Sequence, residues 1–399
     1  MTGGSYKGFH TIRFWSGVMS YLEKIKPLSD GQSRLIEALK DASAEVVGVF
    51  GPTGSGKSLI TLLYGIDQIS SNSYDKFLIV RPLINILSGS SLSSEIGGGV
   101  FREIASQYLI DLVSQYVPRD VVRDLIEREK IVFIDLHYLK GRSFDRSLIF
   151  IDDVQNMPAE SVIETLIRVG SNSKLVIAGD PVFQKLRGVE KDSSAIVREI
   201  LMSEEKARVV DLGIKDVVRQ GARKGLKLLI ELNLRSRKMI DSELKVLDLI
   251  KIHAPDADIV TVVELAGLRD QHGIPKDSVP DFLIITKTPG RLIGRGGERI
   301  QAIEKELGGR VRGLELSLDF KEWVRALHPV SWVYKHIEEV DFAGPNLRIS
   351  VDKDAAGALI GQKGSHIRYI DSLFKSLLGV SVVVEQIERK EEKEKRRKK

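Results

Sequence analysis

Residues 45–60 read EVVGVFGPTGSGKSLI. A short apolar run, EVVGVF, meets GPTGSGKS at 51–58, and the apolar stretch SLITLLYGI follows. The middle segment matches G-x-x-x-x-G-K-[ST] between a strand and a helix, the setting in which a glycine loop can wrap a phosphate chain. Glycines let backbone N–H groups approach the phosphates, and the N-terminus of the following helix adds the positive end of its dipole. Gly51, Pro52, Thr53, Gly54, Ser55, Gly56, Lys57 and Ser58 are therefore the expected nucleotide cradle. Lys57 would reach the β and γ phosphates, and Ser58 would ligate Mg²⁺.

Outward from this loop the same texture continues. KFLIVRP, IVFIDL, SLIFIDD and KLVIAGD are short apolar runs separated by helical stretches. Several are continuous rather than alternating, which is how strands buried on both faces read. The expected fold class is α/β: a parallel sheet flanked by helices over residues 28–235, preceded by an amphipathic leader at 1–27. SLIFIDD supplies the second metal anchor that a P-loop needs. Asp152 would hold Mg²⁺ through water, and Asp153 would orient or activate the attacking water. KLVIAGDPVFQ ends in Asp180 with Gln184 beyond it, and Gln184 is the expected γ-phosphate sensor. LSGSSLSSEIGGGV, rich in Ser and Gly, is expected to be a mobile loop near the ligand end of the sheet.

After residue 236 the pattern changes. A helix, two strands, two helices flanking a glycine turn and a third strand are followed by the same order again, with the two turns about 67 residues apart. The expected units are 236–325 and 326–388, then a charged tail at 389–399. In this reading LRDQHGIPKDSVP is a linker and 332–341 a strand. The turns lie in RLIGRGGERI (291–300) and ALIGQKGSHI (358–367), each carrying I-G-x-x-G-x-x-I. A lone G-x-x-G arises about three times by chance in a chain this rich in glycine. The longer pattern twice, at one place in one element order, is a different matter.

Composition sets limits. With no cysteine among 399 residues, disulfides, thiolate metal sites and cysteine nucleophiles are excluded. The seven histidines show no metal spacing. No apolar run is long enough for a membrane helix, and MTGGSYKGFH lacks the layout of a secretion signal, so a cytoplasmic protein is expected. The net charge of +5 is concentrated in the final twelve residues, which hold eight Lys/Arg against four Glu. That tail reads as a solvated helix end or a weak phosphate-contacting arm. Nucleic-acid binding must rest on motifs, not on global charge.

Two resemblances follow from these segments. Residues 28 to about 235 resemble the PhoH family of ATPases, whose core is similar to superfamily 1 helicases. DGQSRLIEAL resembles its adenine-reading segment, which would give Gln32 that role. FLIVRP resembles the family's strand ending in Arg-Pro. LHYLKGRSF resembles its Gly-Arg-Ser stretch, which implies Arg142 near the nucleotide, and IDDVQN its Asp-Glu-Ala-Gln-Asn motif. LIRVGSNSKLVIAGD and DVVRQ resemble the segments that would make Arg168 and Arg219 transition-state arginines, in cis or from a neighbouring subunit; each reads equally as an ordinary surface or salt-bridged arginine. Three departures stand out: Asp153 where the family has Glu, Gln220 where it has His, and an extra residue, Phe183, before Gln184. A catalytic carboxylate one methylene shorter implies slow turnover.

The repeat resembles the prokaryotic type of KH fold, as in the tandem KH domains of NusA. The resemblance implies that Gly294–Gly297 and Gly361–Gly364 each clamp the backbone of about four nucleotides. Arg295, Gly296, Arg299, Gln362, Lys363 and Arg368 would contact the strand. Ile293, Ile300, Ile360 and Ile367 read as groove or core. Together the resemblances imply an ATP hydrolase using Mg²⁺ that acts on single-stranded RNA, with DNA chemically compatible, as a remodeler or helicase. They also imply a homo-oligomer, with a hexameric ring as one form. The alternatives are a nucleotide-switched RNA-binding scaffold and a secretion-type ring ATPase. The His- and Asp-rich box expected of the latter is not found.

Overall fold

The computed structural model describes residues 20–82, 98–134, 143–184 and 192–388. From the N-terminal side the elements are α1 (Asp30–Lys40), β1 (Val46–Phe50), α2 (Lys57–Ser70), β2 (Lys76–Val80), α3 (Gly98–Val113), α4 (Arg119–Glu127), β3 (Ile131–Ile134), β4 (Ser147–Ile151), α5 (Ala159–Leu166), β5 (Lys174–Gly179), α6 (Ser193–Met202), β6 (Ala207–Asp211) and α7 (Gln220–Arg235). Six strands form one parallel sheet in the order β3-β2-β4-β5-β1-β6.

Alternate residues of each central strand leave the sheet on opposite faces. Val47, Val49, Leu148 and Phe150 join Leu62, Leu63 and Ile66 of α2 on one side. Val46, Ile149, Ile151, Leu175 and Ile177 join Val162 of α5 and Val197 of α6 on the other. Every residue of β1, β4 and β5 is buried, which explains their continuous apolar runs. Gly65 of α2 lies flat on the Phe77 ring, where a Cβ would come within 2.3 Å of it. The sixth strand, β6, is not among the five that the sequence suggests. It lies at the sheet edge, its sequence ARVVD carries only part of the apolar pattern, and just one of its residues is buried.

The chain continues with α8 (Asp241–His253), β7 (Ile259–Glu264), α9 (Ala266–Gln271), β8 (Phe282–Thr286), α10 (Pro289–Ile293), α11 (Glu298–Leu307) and β9 (Val311–Glu315). Next come α12 (Phe320–Leu327), β10 (Ile337–Ala343), β11 (Asn346–Asp352), α13 (Lys353–Ile360), α14 (Ser365–Leu378) and β12 (Ser381–Ile387). The sheets β7-β8-β9 and β10-β11-β12 have the same wiring, an antiparallel pair followed by a parallel one. Two local expectations are corrected. The expected linker contains the helical turn α9. The expected strand at 332–341 begins as a 3₁₀ turn, Ser331–His336, and becomes a strand only at Ile337. Tertiary anchors explain the turn: Val333 is fully buried, and the Tyr334 hydroxyl donates to Glu322.

One core runs from the nucleotide-side segment into this C-terminal part. Ile214, Val217 and, on α7, Leu226, Ile230 and Leu234 belong to the same buried cluster as Trp323, Phe320, Phe342 and Phe374. Val182 and Phe183, just beyond β5, pack against it as well. Among the described residues no helix is long and apolar enough to cross a membrane.

Candidate functional site

Strand order sets the site. The loop after β1 and the carboxylates after β4 belong to strands that are not neighbours, because β5 lies between them. All three strands end on the same side, so the chain segments that leave them converge there, where parallel α/β sheets bind ligands. Gly56 caps α2 with φ 96°, a left-handed conformation that favours glycine. Lys57, the first residue of α2, is 8% exposed, and its ammonium donates to the carbonyls of Gly51 (2.7 Å) and Pro52 (2.9 Å). Burial lowers its pKa, against the pull of Asp180, Asp152 and Asp153.

The structure brings Ser58 and Asp152 together. The Ser58 hydroxyl donates to Asp152 Oδ1 at 3.0 Å. A hydroxyl and a carboxylate side by side at the N-terminus of α2 are a hard oxygen donor set that fits Mg²⁺ carried in by phosphates. Burial, then the Asp153 charge, pushes Asp152 up to about 6. A Mg²⁺ ion held here would require the ionised form, so the raised pKa would bring the loss of binding up from the ordinary carboxylate range to about pH 6. Mg²⁺-dependent nucleotide affinity should be level above pH 7 and about tenfold weaker at pH 5, one unit below that pKa. Asp152→Asn should abolish the metal dependence and its pH profile together. Isothermal titration with Mg²⁺ and a non-hydrolysable ATP analogue reads both.

Several residues act here that the motifs did not assign. The Arg81 guanidinium spans both carboxylates, 3.3 Å from Asp152 and 2.7 Å from Asp153, with its flat face 4.0 Å from the Tyr108 ring centroid. Its place in FLIVRP was visible, but its partner pair was not. Asp153 sits in the left-handed region (φ 58°, ψ 45°), held by Arg81 and by Gln155 Nε2 at 3.1 Å. Gln155 is a hub: its amide also donates to Gln184 Oε1 at 2.6 Å, and its Oε1 accepts from the Asp180 N–H at 3.0 Å. Gln184 donates in turn to the Thr53 hydroxyl, and the Thr53 N–H donates to Asp180 at 3.1 Å. Gln184 thus touches both the glycine loop, at Thr53, and Gln155 beside Asp153.

Gln32 is 4% exposed and holds the loop directly, donating to the Ser55 carbonyl at 3.1 Å and accepting from the Leu28 N–H at 2.9 Å. Its carboxamide therefore fixes one wall beside the loop. That wall belongs to a cavity of about 510 Å³ lined by Leu28, Gln32, Gly54, Leu59, Val218 and Arg219. Arg219 is exposed at its rim. Arg168 is not brought to the site. It follows α5, its carbonyl accepts from the Phe144 N–H just before β4, and Val169 bridges Phe144. That is the edge where the strands begin, opposite the phosphate loop, so an in-cis transition-state role is ruled out. Arg142 and most of LSGSSLSSEIGGGV lie outside the described residues.

The two glycine loops are nearly superimposable in conformation. Gly294, Gly296 and Gly297 have φ of 78°, 63° and 85°; Gly361, Lys363 and Gly364 have 74°, 51° and 77°. Each loop opens the helix that follows it, α11 or α14. Arg295, Gly296, Gln362, Lys363 and Arg368 are exposed. Arg299 is not available as expected: it packs under Gly294, pairs with Asp256 and donates to the Arg291 carbonyl at 2.8 Å. Ile300 and Ile367 lean on the cores, whereas Ile293 is exposed.

A parallel sheet with a glycine loop of the phosphate-binding type after one strand, a carboxylate pair after the strand two positions away and a glutamine beyond the strand between them has the layout of a P-loop ATPase. The family profile described as "PhoH-like protein" matches residues 24–231, just over half of the 399-residue chain. The chain belongs to the PhoH-like family. A PhoH-like protein of Synechocystis sp. is 25% identical over 190 residues, 47% of this chain and 56% of that protein. A PhoH-like protein of Bacillus subtilis is 26% identical over 200 residues, 49% of this chain and 61% of its own. The chain therefore spans little more than half the length of these relatives. Among solved structures, the large terminase of a thermophilic bacteriophage is 12% identical over 54% of this chain and 52% of that one, with a TM-score of 0.32. The SWI2/SNF2 ATPase core of Sulfolobus solfataricus, solved in complex with double-stranded DNA, is 13% identical over 59% of each chain, with a TM-score of 0.30. Neither score carries an argument.

Proposed function

We propose that this PhoH-like ATPase couples hydrolysis to single-stranded RNA held by two C-terminal KH modules. The observation that carries the coupling is Phe183. It directly precedes Gln184, and its ring meets Phe342 of β10 edge to face, with centroids 5.3 Å apart. The extra residue in the sensor segment is thus the one that enters the C-terminal core. A second tie runs from the base side. Asp216 accepts from the N–H groups of Gly31 (3.2 Å) and Gly213 (2.7 Å), and Asp341, the neighbour of Phe342, accepts from Ile214 (2.7 Å) and Lys215 (3.1 Å). Both ends of a nucleotide would thereby lean on one dipeptide, Asp341–Phe342.

In this reading Lys57 and the loop N–H groups bind the β and γ phosphates, with Ser58 and Asp152 holding Mg²⁺. The metal neutralises phosphate charge when bound. Asp153, fixed by Arg81 and Gln155, orients the attacking water and accepts its proton at Oδ. Gln184 reads the γ-phosphate and shifts Phe183. Arg219 stands at the base site, and Arg168 would reach a nucleotide only on a neighbouring copy, as in a homo-oligomeric ring. Mixing Lys57→Ala chains with Arg168→Ala chains tests that arrangement. Shared sites should regain turnover if the arginine acts in trans, and stay inactive otherwise.

The coupling test is steady-state ATP hydrolysis with and without single-stranded RNA. A loop variant carries Arg295→Asp, Gly296→Asp, Gln362→Asp and Lys363→Asp. These positions are exposed, nothing lies within 4 Å of a Cβ built at Gly296, and Asp is among the side chains that tolerate the positive φ of Gly296 (63°) and Lys363 (51°). Stimulation by RNA that vanishes in the loop variant supports the proposal. Hydrolysis indifferent to RNA in the parent protein overturns it and leaves the family's ATPase without an RNA partner. Duplex separation in step with hydrolysis would mark a helicase; stimulation without separation would mark a switched scaffold.

A further inference from the structure

We propose that the groove between β9 and the Ser331–His336 turn is a base-stacking subsite for single-stranded RNA, with Trp332 as its platform, joining the two glycine loops. This rests on the RNA-binding reading above and adds to it a site outside either loop.

Large aromatic side chains are normally covered in a folded chain. Trp323 is wholly buried, yet Trp332, nine residues on, is 49% exposed. It stands on a 3₁₀ turn with the His336 ring at right angles to the indole, ring centroids 5.5 Å apart, and about half of its surface stays open. It borders a groove of about 870 Å³ whose opposite wall is β9, including Arg312 and Leu314.

The charges of the groove favour an anion. Arg312 donates to the Ala326 carbonyl at 2.6 Å, and neither it nor Lys335 has a carboxylate within ion-pair distance among the described residues. Partial burial of the guanidinium and then the nearby Arg310 lower the Arg312 pKa, with Tyr369 acting the other way. Two acids also line the groove. Glu322 is held by Arg325 at 3.1 Å and by Tyr334 at 2.6 Å, while Glu315 lies at the end of β9. A guanidinium, an ammonium and an open indole face are what a phosphate–sugar–base unit requires.

Position selects the strand as occupant. β9 packs against α10, the helix that runs into Gly294; a Cβ on Gly313 would lie 3.1 Å from Leu292. On the other side the turn bonds to the start of α13, the helix that runs into Gly361, through His336 and Asp352 at 3.2 Å. The groove therefore lies between the elements that deliver the two loops. A strand clamped by both, at about four nucleotides each, has to cross the interval, and Trp332 stands in it.

The experiment is fluorescence anisotropy of labelled oligouridine, four and twelve nucleotides long, titrated with the full chain. In Trp332→Ala the twelve-mer should bind about fivefold to a hundredfold more weakly, the range for loss of one stacked base. The four-mer, which one loop accommodates, should change less than about twofold, since it never reaches the groove. Trp332→Phe should recover most of the twelve-mer affinity, which a merely unfolded variant would not. Unchanged twelve-mer binding in Trp332→Ala, with the parent binding normally, overturns the subsite and leaves the loop reading standing. Equal losses for both lengths also overturn it, because the effect would then be general. If the parent binds neither length, the RNA reading fails first and the subsite with it.

Discussion

Lys57→Ala should lower turnover by at least about 10²–10³-fold, the cost of removing one charge-stabilising donor from a phosphoryl-transfer site. The side chain is enclosed at the start of α2, with Asp152, Asp153 and Asp180 all near enough to raise its pKa. Removing the ammonium leaves three acids beside the glycine loop with, among the described residues, Arg81 to offset two of them. Nucleotide binding should weaken together with turnover, because the same repulsion acts on the bound ground state. Lys57→Arg should not restore the rate: a planar fork cannot take the place of a compact ammonium already seated against two carbonyls. Phosphate release by the purified protein measures the effect. Retained turnover in Lys57→Ala would mean that hydrolysis occurs elsewhere.

The second large effect is expected at Phe342. The side chain is 3% exposed and meets Phe320 and Phe183 edge to face at 5.4 and 5.3 Å. Truncation to Ala should cost about 3–5 kcal/mol, by lost transfer energy and the cavity left behind. Phe342→Leu should cost much less, because it keeps most of the volume. The informative comparison is with Phe183→Leu and the double variant. Edge-to-face pairs contribute about 0.5–1.5 kcal/mol beyond area burial, and a cycle of that size in guanidinium unfolding would locate the contact in solution. If hydrolysis is coupled to RNA as proposed, Phe183→Leu should also shrink the RNA-dependent increment of hydrolysis more than the basal rate. Additive unfolding effects would show that the sensor segment and β10 do not touch.

What could be read from the chain follows the range of the interactions. The phosphate loop, its strand and its helix occupy one continuous segment, so glycine spacing and apolar pattern carry them whole. The central strands β1, β2, β4 and β5 announce themselves because burial on both faces demands apolar residues throughout, and β3, at one edge, keeps an apolar run although only Ile131 is buried. The edge strand β6 does not, since its exposed positions accept charge. The two glycine loops were legible because positive φ restricts residue choice locally.

Ion-pair partners were not legible in this way. Arg299 looked like a phosphate contact beside a glycine loop, and Asp256, 43 residues earlier, claims it. Arg168 looked like a catalytic arginine in family order, and the direction of α5 carries it to the far edge of the sheet. Neither the pairing nor the direction leaves a mark in the residues nearby.

By itself, then, the sequence determined that the protein has a P-loop in a parallel α/β sheet, followed by a repeated unit with two glycine turns. These are properties of neighbouring residues, set by backbone conformation and by which faces are buried. The tertiary structure alone decided that β5 would separate the glycine loop from the Asp152–Asp153 pair, and that Arg81 would span both carboxylates. It alone seated Phe183 against Phe342, 159 residues away, and left Trp332 open beside β9. Such contacts depend on strand order and on the packing of one shared core, and packing is a property of which distant surfaces fit together, not of any segment read alone.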